Sequence, residues 1–179
     1  MKFTFRQWRV LHCLRRFIVI FGARRTGKSY VSNHLSVKYL LKGIDVIHLN
    51  LTTRMGEFSF SGIGTILRNI RGLKKYLEIN YAFHNITYGE NNIRFAIDIN
   101  LENVVRTYYK NKPCVIIADE MYDIPQLIFK IFYLERKYNV RFKKIIITGT
   151  PVNSRCNKKY IKSINNKAKV FTWKGKYYE

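Results

Sequence analysis

Phe17-Ile-Val-Ile-Phe-Gly22-Ala-Arg-Arg-Thr-Gly27-Lys-Ser-Tyr30 decides the fold: an apolar, largely β-branched run meets a Gly-x-x-x-x-Gly-Lys-Ser loop that opens a helical pattern. This is the P-loop, or Walker A, pattern. Gly22 and Gly27 free the backbone to curl with its N–H groups inward, so that loop and helix N-terminus together form a nest for phosphate oxygens. The candidate nucleotide-binding residues are therefore Gly22, Ala23, Arg24, Arg25, Thr26, Gly27, Lys28 and Ser29. Lys28 is expected to reach the β- and γ-phosphates, and Ser29 to place its hydroxyl in the shell of a Mg2+ ion. The same pattern also occurs in ordinary glycine-rich turns. Here the short uncharged strand Phe17–Phe21 and a helix from Lys28 to about Leu41, closed by Gly43, supply the strand-loop-helix context the chemistry requires.

A second site lies at Cys114-Val-Ile-Ile-Ala-Asp-Glu120, an apolar strand ending in adjacent carboxylates. It reads as a Walker B strand. In a parallel sheet its C-terminal end lies beside the P-loop, so Asp119 is expected to hold the magnesium shell and Glu120 to orient and deprotonate water. A strand ending in Asp-Glu is also a common turn or capping signal. A Glu directly after the Asp favours hydrolysis over transfer to a small acceptor. A third strand, Lys143-Lys-Ile-Ile-Ile-Thr-Gly-Thr-Pro151, ends in hydroxyls where the same site should be, so Thr148 is a candidate contact to the γ-phosphate or the lytic water. A plain turn after the strand is the structural alternative.

Elsewhere, strands and helices alternate. Residues 45–49 read as a strand, and Asn50–Gly64, rich in Gly, Ser and Thr, as an irregular connection. A helix is expected from Ile66 to Leu77, a hairpin from Asn80–Tyr88 and Asn92–Ile99, and a helix from Leu101 to Lys110 ended by Pro113. Ile124–Tyr138 has the apolar spacing of a helix covering a sheet, and Val170–Trp173 reads as a last strand. The expected architecture is α/β: a mainly parallel central sheet flanked by helices, with the ligand at the strand ends.

With 179 residues and 47% hydrophobic content, the chain suits one domain over residues 1–179, carrying a basic C-terminal segment from about residue 151. Thirty-three Lys and Arg against eleven Asp and Glu leave a formal charge of +22, which attracts polyanions and makes nucleic acid the expected partner. A merely lysine-rich, solvated surface is the alternative. Against it stands the run from Arg136 to Lys176, where Arg141, Lys143, Lys144, Arg155, Lys158, Lys159, Lys162, Lys167, Lys169 and Lys174 occur without an acid. Cys13, Cys114 and Cys156 form no Cys-x-x-Cys spacing, which fits a reducing, intracellular setting. His12, His34, His48 and His84 lack metal-site spacing and receive no role. Neither a signal peptide nor an apolar run of membrane-spanning length is present, so the expected location is cytoplasmic.

Taken together, Gln7-Trp upstream of the loop, Gly-Ala-Arg-Arg-Thr-Gly-Lys-Ser, Val-Ile-Ile-Ala-Asp-Glu and Ile-Ile-Ile-Thr-Gly-Thr-Pro resemble, in that order, the ATPase domain of viral large terminase subunits. The resemblance runs from about residue 3 to residue 153, and extends to smaller DNA-packaging ATPases of tailed phages. It implies an additional-strand, catalytic-glutamate type of P-loop NTPase using ATP and Mg2+. It further implies translocation of double-stranded DNA during viral genome packaging, by a homo-oligomeric ring working with portal and small terminase proteins in the host cytoplasm. By the same resemblance, Gln7 recognises the adenine ring and Arg24 is the P-loop arginine that stabilises transition-state charge, with Arg25 second. Thr148, Gly149 and Thr150 match the coupling motif. A trans-acting arginine finger has no clear counterpart; Arg68, Arg71, Arg94 and Arg106 remain open. Large terminases continue into a nuclease domain, and no spaced carboxylate cluster follows Glu135, so an ATPase-only protein and a piece of a longer one are both expected possibilities. Two other readings stay open: a helicase-like or recombination ATPase dependent on DNA, and a non-catalytic protein binding nucleotide and nucleic acid.

Overall fold

A computed structural model describes residues 3–23, 25–150 and 168–173. Its centre is an eight-stranded sheet. In chain order the strands are β1 (Phe17–Gly22), β2 (Val46–Asn50), β3 (Leu77–Asn80), β4 (Asn85–Tyr88), β5 (Asn91–Ile97), β6 (Pro113–Asp119), β7 (Arg141–Gly149) and β8 (Ala168–Trp173). Across the sheet they follow the order β3-β4-β5-β2-β6-β7-β1-β8. From β5 to β8 all neighbours are parallel, and the β3-β4-β5 edge is antiparallel. Strand β7 stands between the P-loop strand β1 and the acid-tipped strand β6, the additional-strand arrangement that the resemblance implies.

Burial of both faces explains the uninterrupted apolar strands. On one face Val19, Phe21, Ile116, Ala118, Ile145 and Ile147 pack under two helical elements. These are α4 (Leu101–Val104), which widens into a π-helical turn over Val105–Tyr109, and α5 (Ile124–Lys137). On the other face Ile18, Ile20, Val115, Ile117 and Ile146 meet three helices. Those are α1 (Phe5–Leu11), α2 (Lys28–Leu40) and α3 (Thr53–Arg68). Helix α5 starts at Asp123, whose side chain accepts from the Gln126 N–H at 3.0 Å, with a proline in its first turn.

Three local expectations are corrected. Residues 50–64 are not an irregular connection: Thr52 caps α3 by accepting from the Met55 N–H at 3.3 Å, and the helix runs unbroken to Arg68. Three of the small residues that suggested a loop, Gly56, Ser59 and Gly64, lie instead on the packed face of the helix, buried with Phe60, Ile63 and Leu67. A Cβ on Gly62 would come within 2.7 Å of Asn33 Nδ2 on α2, so small residues permit a close helix–helix approach that outweighs their poor helix propensity. The helix expected over Ile66–Leu77 is in fact the last turn of α3, a link with one 3-10 turn at Lys74–Tyr76, and the start of β3. The hairpin is present but shorter, as β4 and β5, and β3 adds a third antiparallel strand that the sequence reading did not separate. Helix α1, with a reciprocal cap between Thr4 and Gln7, was likewise not foreseen. The remaining strands and helices lie where the sequence places them, within a few residues.

Candidate nucleotide site

Parallel pairing brings the ends of β1, β2, β6 and β7 to one edge of the sheet. Register alone sets Asn50 beside Asp119, Ile20 beside Thr148 and Phe21 beside Gly149. Strand ends at such an edge are where open α/β sheets bind ligands.

The loop after β1 curls tightly. Gly27 adopts φ 84° and Arg25 φ 62°, both left-handed. A side chain at Gly27 would also collide with Gln7, whose Nε2 lies 2.6 Å from the position of a Cβ there. Gln7 is thus seated against the P-loop. At the other end of the loop, a Cβ on Gly22 would meet Thr26 Oγ1 at 2.7 Å and Trp173 Cβ at 3.2 Å, so β8 closes over the first glycine. Thr26 Oγ1 donates to Ala23 O at 2.8 Å, and the nearly buried Lys28 donates from Nζ to Gly22 O and Ala23 O, each at 2.9 Å. The ammonium therefore lies within the curl of the loop. Arg24, and the lysine-rich stretch from Arg155 to Lys167 together with Lys174, lie outside the described residues.

Asp119 is buried, and two hydroxyl groups satisfy its Oδ1: Ser32 donates at 3.1 Å and Thr148 at 2.5 Å. A buried carboxylate needs such donors to offset lost hydration. Thr148 Oγ1 also accepts from the Glu120 N–H at 3.0 Å, and Thr148 O accepts from the Met121 N–H at 2.9 Å. One threonine thus orients both acids. Its neighbour Gly149 is required by contact, since a Cβ there would come within 2.7 Å of Met121 O. Thr150 follows β7 half-buried.

A cavity of about 210 Å3 joins these parts: Ser29 from α2, Asp119 at the end of β6 and Glu120 just after it, Asn50 from β2, and Phe58 and Ser59 from α3 all line it. The loop serine and the paired acids, 90 residues apart in the chain, therefore face one space. The donors are hydroxyl, carboxylate and amide oxygens, a hard set suited to Mg2+ held by few protein ligands. Among the described residues no group of three or more His, Cys, Asp or Glu forms a metal cluster. Ser29 and Asp119, which line the same cavity, are residues that could hold such an ion.

Asn50, Ser59 and Ser32 escaped the sequence reading. Asn50 ends an apolar strand just as Asp119 does, and that signal was available. It accepts from Ser59 Oγ at 2.9 Å. Ser32 lies three residues after Ser29 on the same helix face. Of the four arginines left open, Arg68 bonds Tyr81 at the end of α3, Arg94 lies against Tyr108, and Arg106 bonds Asn103 at 3.4 Å. Arg71 is exposed beyond α3.

These features define a P-loop NTPase-like α/β fold with an additional strand. Solved structures with the same architecture include large terminases. A variant of the ATPase domain of the Thermus phage P74-26 large terminase superposes with a TM-score of 0.71 at 13% identity, covering 97% of this chain and 81% of that one. The HK97 bacteriophage large terminase gives 0.68 at 12% identity, covering 96% of this chain and 39% of its own. A large terminase from a thermophilic bacteriophage gives 0.69 at 14%, with 96% and 46% covered. The chain thus has a terminase-like ATPase fold and spans less than half of those two longer proteins. No protein-family profile matches it, and no curated protein matches it by sequence. Among the described residues no helix is long and apolar enough to cross a membrane.

Glu120 holds φ 57°, a left-handed conformation costing a side chain with a Cβ about 1–2 kcal/mol. Glu120→Gly is expected to raise the free energy of unfolding by about 0.5–1 kcal/mol, read by urea denaturation; unchanged or lower stability contradicts stored strain. Below the site, His48 is wholly buried, and its Nδ1 shares a 2.8 Å hydrogen bond with Ser36 Oγ on α2. Burial pushes its pKa from 6.5 down to about 4, against the opposing pull of Asp119. Between those values the unfolded chain binds a proton that the folded one does not, so this contribution is complete above about pH 6.5 and is lost as pH falls toward 4. His48→Gln should flatten the acid-side decline measured by urea unfolding between pH 7 and about pH 4.5; parallel curves for both proteins contradict the assignment.

Proposed function

We propose that this chain hydrolyses ATP to drive translocation of double-stranded DNA, as the ATPase of a terminase-like genome-packaging motor. The observation that carries the reading is the shared cavity of Ser29, Asp119 and Glu120 beside the P-loop, in a sheet whose solved likenesses are large terminase ATPase domains.

In this reading the loop N–H groups, Lys28 and Arg24 bind the triphosphate, and Gln7, seated on Gly27, contacts the adenine. Ser29 and Asp119 would hold Mg2+, which would supply positive charge to neutralise the phosphates. Glu120 accepts a proton from the attacking water. Thr148, bonded to Asp119 and to the Glu120 backbone, holds both acids in position and passes the state of the γ-phosphate to β7. Subunits arranged as a ring on DNA grip its backbone through lysines and arginines, without reading bases, in alternation with the nucleotide cycle. Portal and small terminase proteins are the partners such a motor works with.

Glu120→Gln is expected to lower ATP turnover by at least about 100-fold while nucleotide binding stays nearly intact, whereas Lys28→Ala weakens both. Duplex DNA should stimulate the wild-type rate, with stimulation falling steeply as salt rises. A steady-state ATPase assay with and without DNA checks both. Equal turnover in wild type and Glu120→Gln removes Glu120 as the base, and a rate indifferent to DNA removes the motor.

A further inference from the structure

Helix α5 carries large apolar side chains on two sides. Its inner side holds Ile124, Leu127, Ile128, Ile131 and Leu134, buried in the core over the sheet. Its outer side presents Gln126, Phe129, Tyr133 and Arg136 at steps of three, four and three residues, with Phe129 72% and Tyr133 52% exposed and Phe132 beside them. That spacing is the seam along which one helix packs against another. Lys130 donates to Asp98 O at 2.6 Å and to Asp98 Oδ1 at 3.0 Å, which brings the turn carrying Ile99, 89% exposed, alongside the helix. A helix with a second apolar stripe leaves that stripe in water until something covers it.

Charge sets this face apart. A net charge of +22 drives two copies of the chain away from each other. Yet each of the three ion pairs among the described residues has one partner on α5: Glu135 with Arg16, Lys130 with Asp98, and Lys137 with Glu102. The flanks of α5 are thus already neutralised, and here a second copy meets the least repulsion. A nucleic-acid backbone calls for unpaired cations, whereas exposed aromatic rings between neutralised flanks have the composition of the centre of a protein interface.

Two charges stand outside those pairs, one at each end of the helix. Asp123 is exposed at its N-cap and Arg136 in its last turn, about 20 Å further along. A parallel partner helix would set Arg136 against Arg136, while an antiparallel one sets Asp123 of each copy against Arg136 of the other. The face is therefore complementary to itself. We propose that the outer face of α5 docks onto the same face of a second copy of this chain, the helices antiparallel about a two-fold axis near Phe129, with Phe129, Phe132 and Tyr133 interleaved and Asp123 meeting Arg136 at both ends. Such a contact closes at two copies, so it is separate from the ring of the proposed motor and does not rest on the nucleotide reading. One helix face is a small interface, which puts association at roughly micromolar strength.

Sedimentation velocity tests it, on the full chain freed of nucleic acid by nuclease, without ATP, over about 1–300 μM and at low and high salt. The expected result is a monomer–dimer equilibrium that strengthens as salt rises, because screening relieves the repulsion between two basic copies. Phe129→Glu should weaken it at least about tenfold and Arg136→Glu by a few-fold. Both side chains are exposed, so neither change touches the core. Mild oxidation of Phe129→Cys should join the introduced cysteine of one copy to that of the other, as a two-fold contact at that residue requires, and peptide mapping reads it. A chain that stays monomeric up to about 300 μM leaves this face to another protein and overturns the proposal. Association that disappears with nuclease or falls with salt marks a nucleic-acid bridge and overturns it too. So do an assembly of any size that Phe129→Glu leaves unchanged, and disulfides from Phe129→Cys that reach only other cysteines.

Discussion

The position of β7 between the P-loop strand and the acid-tipped strand is the constraint on which the rest of the site depends. Because β7 pairs with both β1 and β6, the hydroxyl of Thr148 falls within reach of Asp119 on one side while its backbone runs along the P-loop strand on the other. Removing that strand from the middle of the sheet would leave the buried carboxylate dependent on Ser32 and the Glu120 N–H without its acceptor. The parallel ladder, formed by ordinary backbone hydrogen bonds and two apolar faces, thereby sets side-chain positions at the carboxyl edge.

Polar groups pressed into this edge are tied by specific contacts. Asp119 accepts from two hydroxyl donors in the interior, Asn50 is fixed by Ser59, and His48 is held neutral beside Ser36. Ser32 and Ser36 both lie on α2, the helix that begins at Lys28, so the helix carrying the loop serine also supports the acid strand and its neighbour β2. A shift of α2 would be felt at Ser29, Asp119 and His48 together, because a packed interior transmits displacement and does not absorb it.

Much of this was legible in the sequence, and the reasons differ from place to place. Strands buried on both faces announce themselves as unbroken Val, Ile and Ala runs, so β1, β6 and β7 were readable, and the Gly-Lys-Ser and Asp-Glu tips came with them. Helix α3 was hidden because Gly56, Gly62 and Gly64 have the composition of a turn, while Gly62 lets α3 lie close to Asn33 of α2; only the tertiary partner reveals it. Strand β3 was hidden by length, since Leu77–Asn80 holds too few residues for an alternating pattern. Ser59 was lost together with α3, whereas Asn50, a polar tip on an apolar strand, followed the same rule as Asp119.

The central claim is that the loop lysine and serine and the paired acids act on one triphosphate. A crystal structure with a non-hydrolysable ATP analogue and Mg2+ tests it most directly. The account predicts the metal between Ser29 Oγ and the Asp119 carboxylate, Lys28 drawn from its loop carbonyls onto the phosphates, and the Glu120 carboxylate facing the γ-phosphate. A triphosphate bound elsewhere on the chain, or one seated in the loop with Asp119 and Glu120 turned away from metal and phosphate, would contradict it.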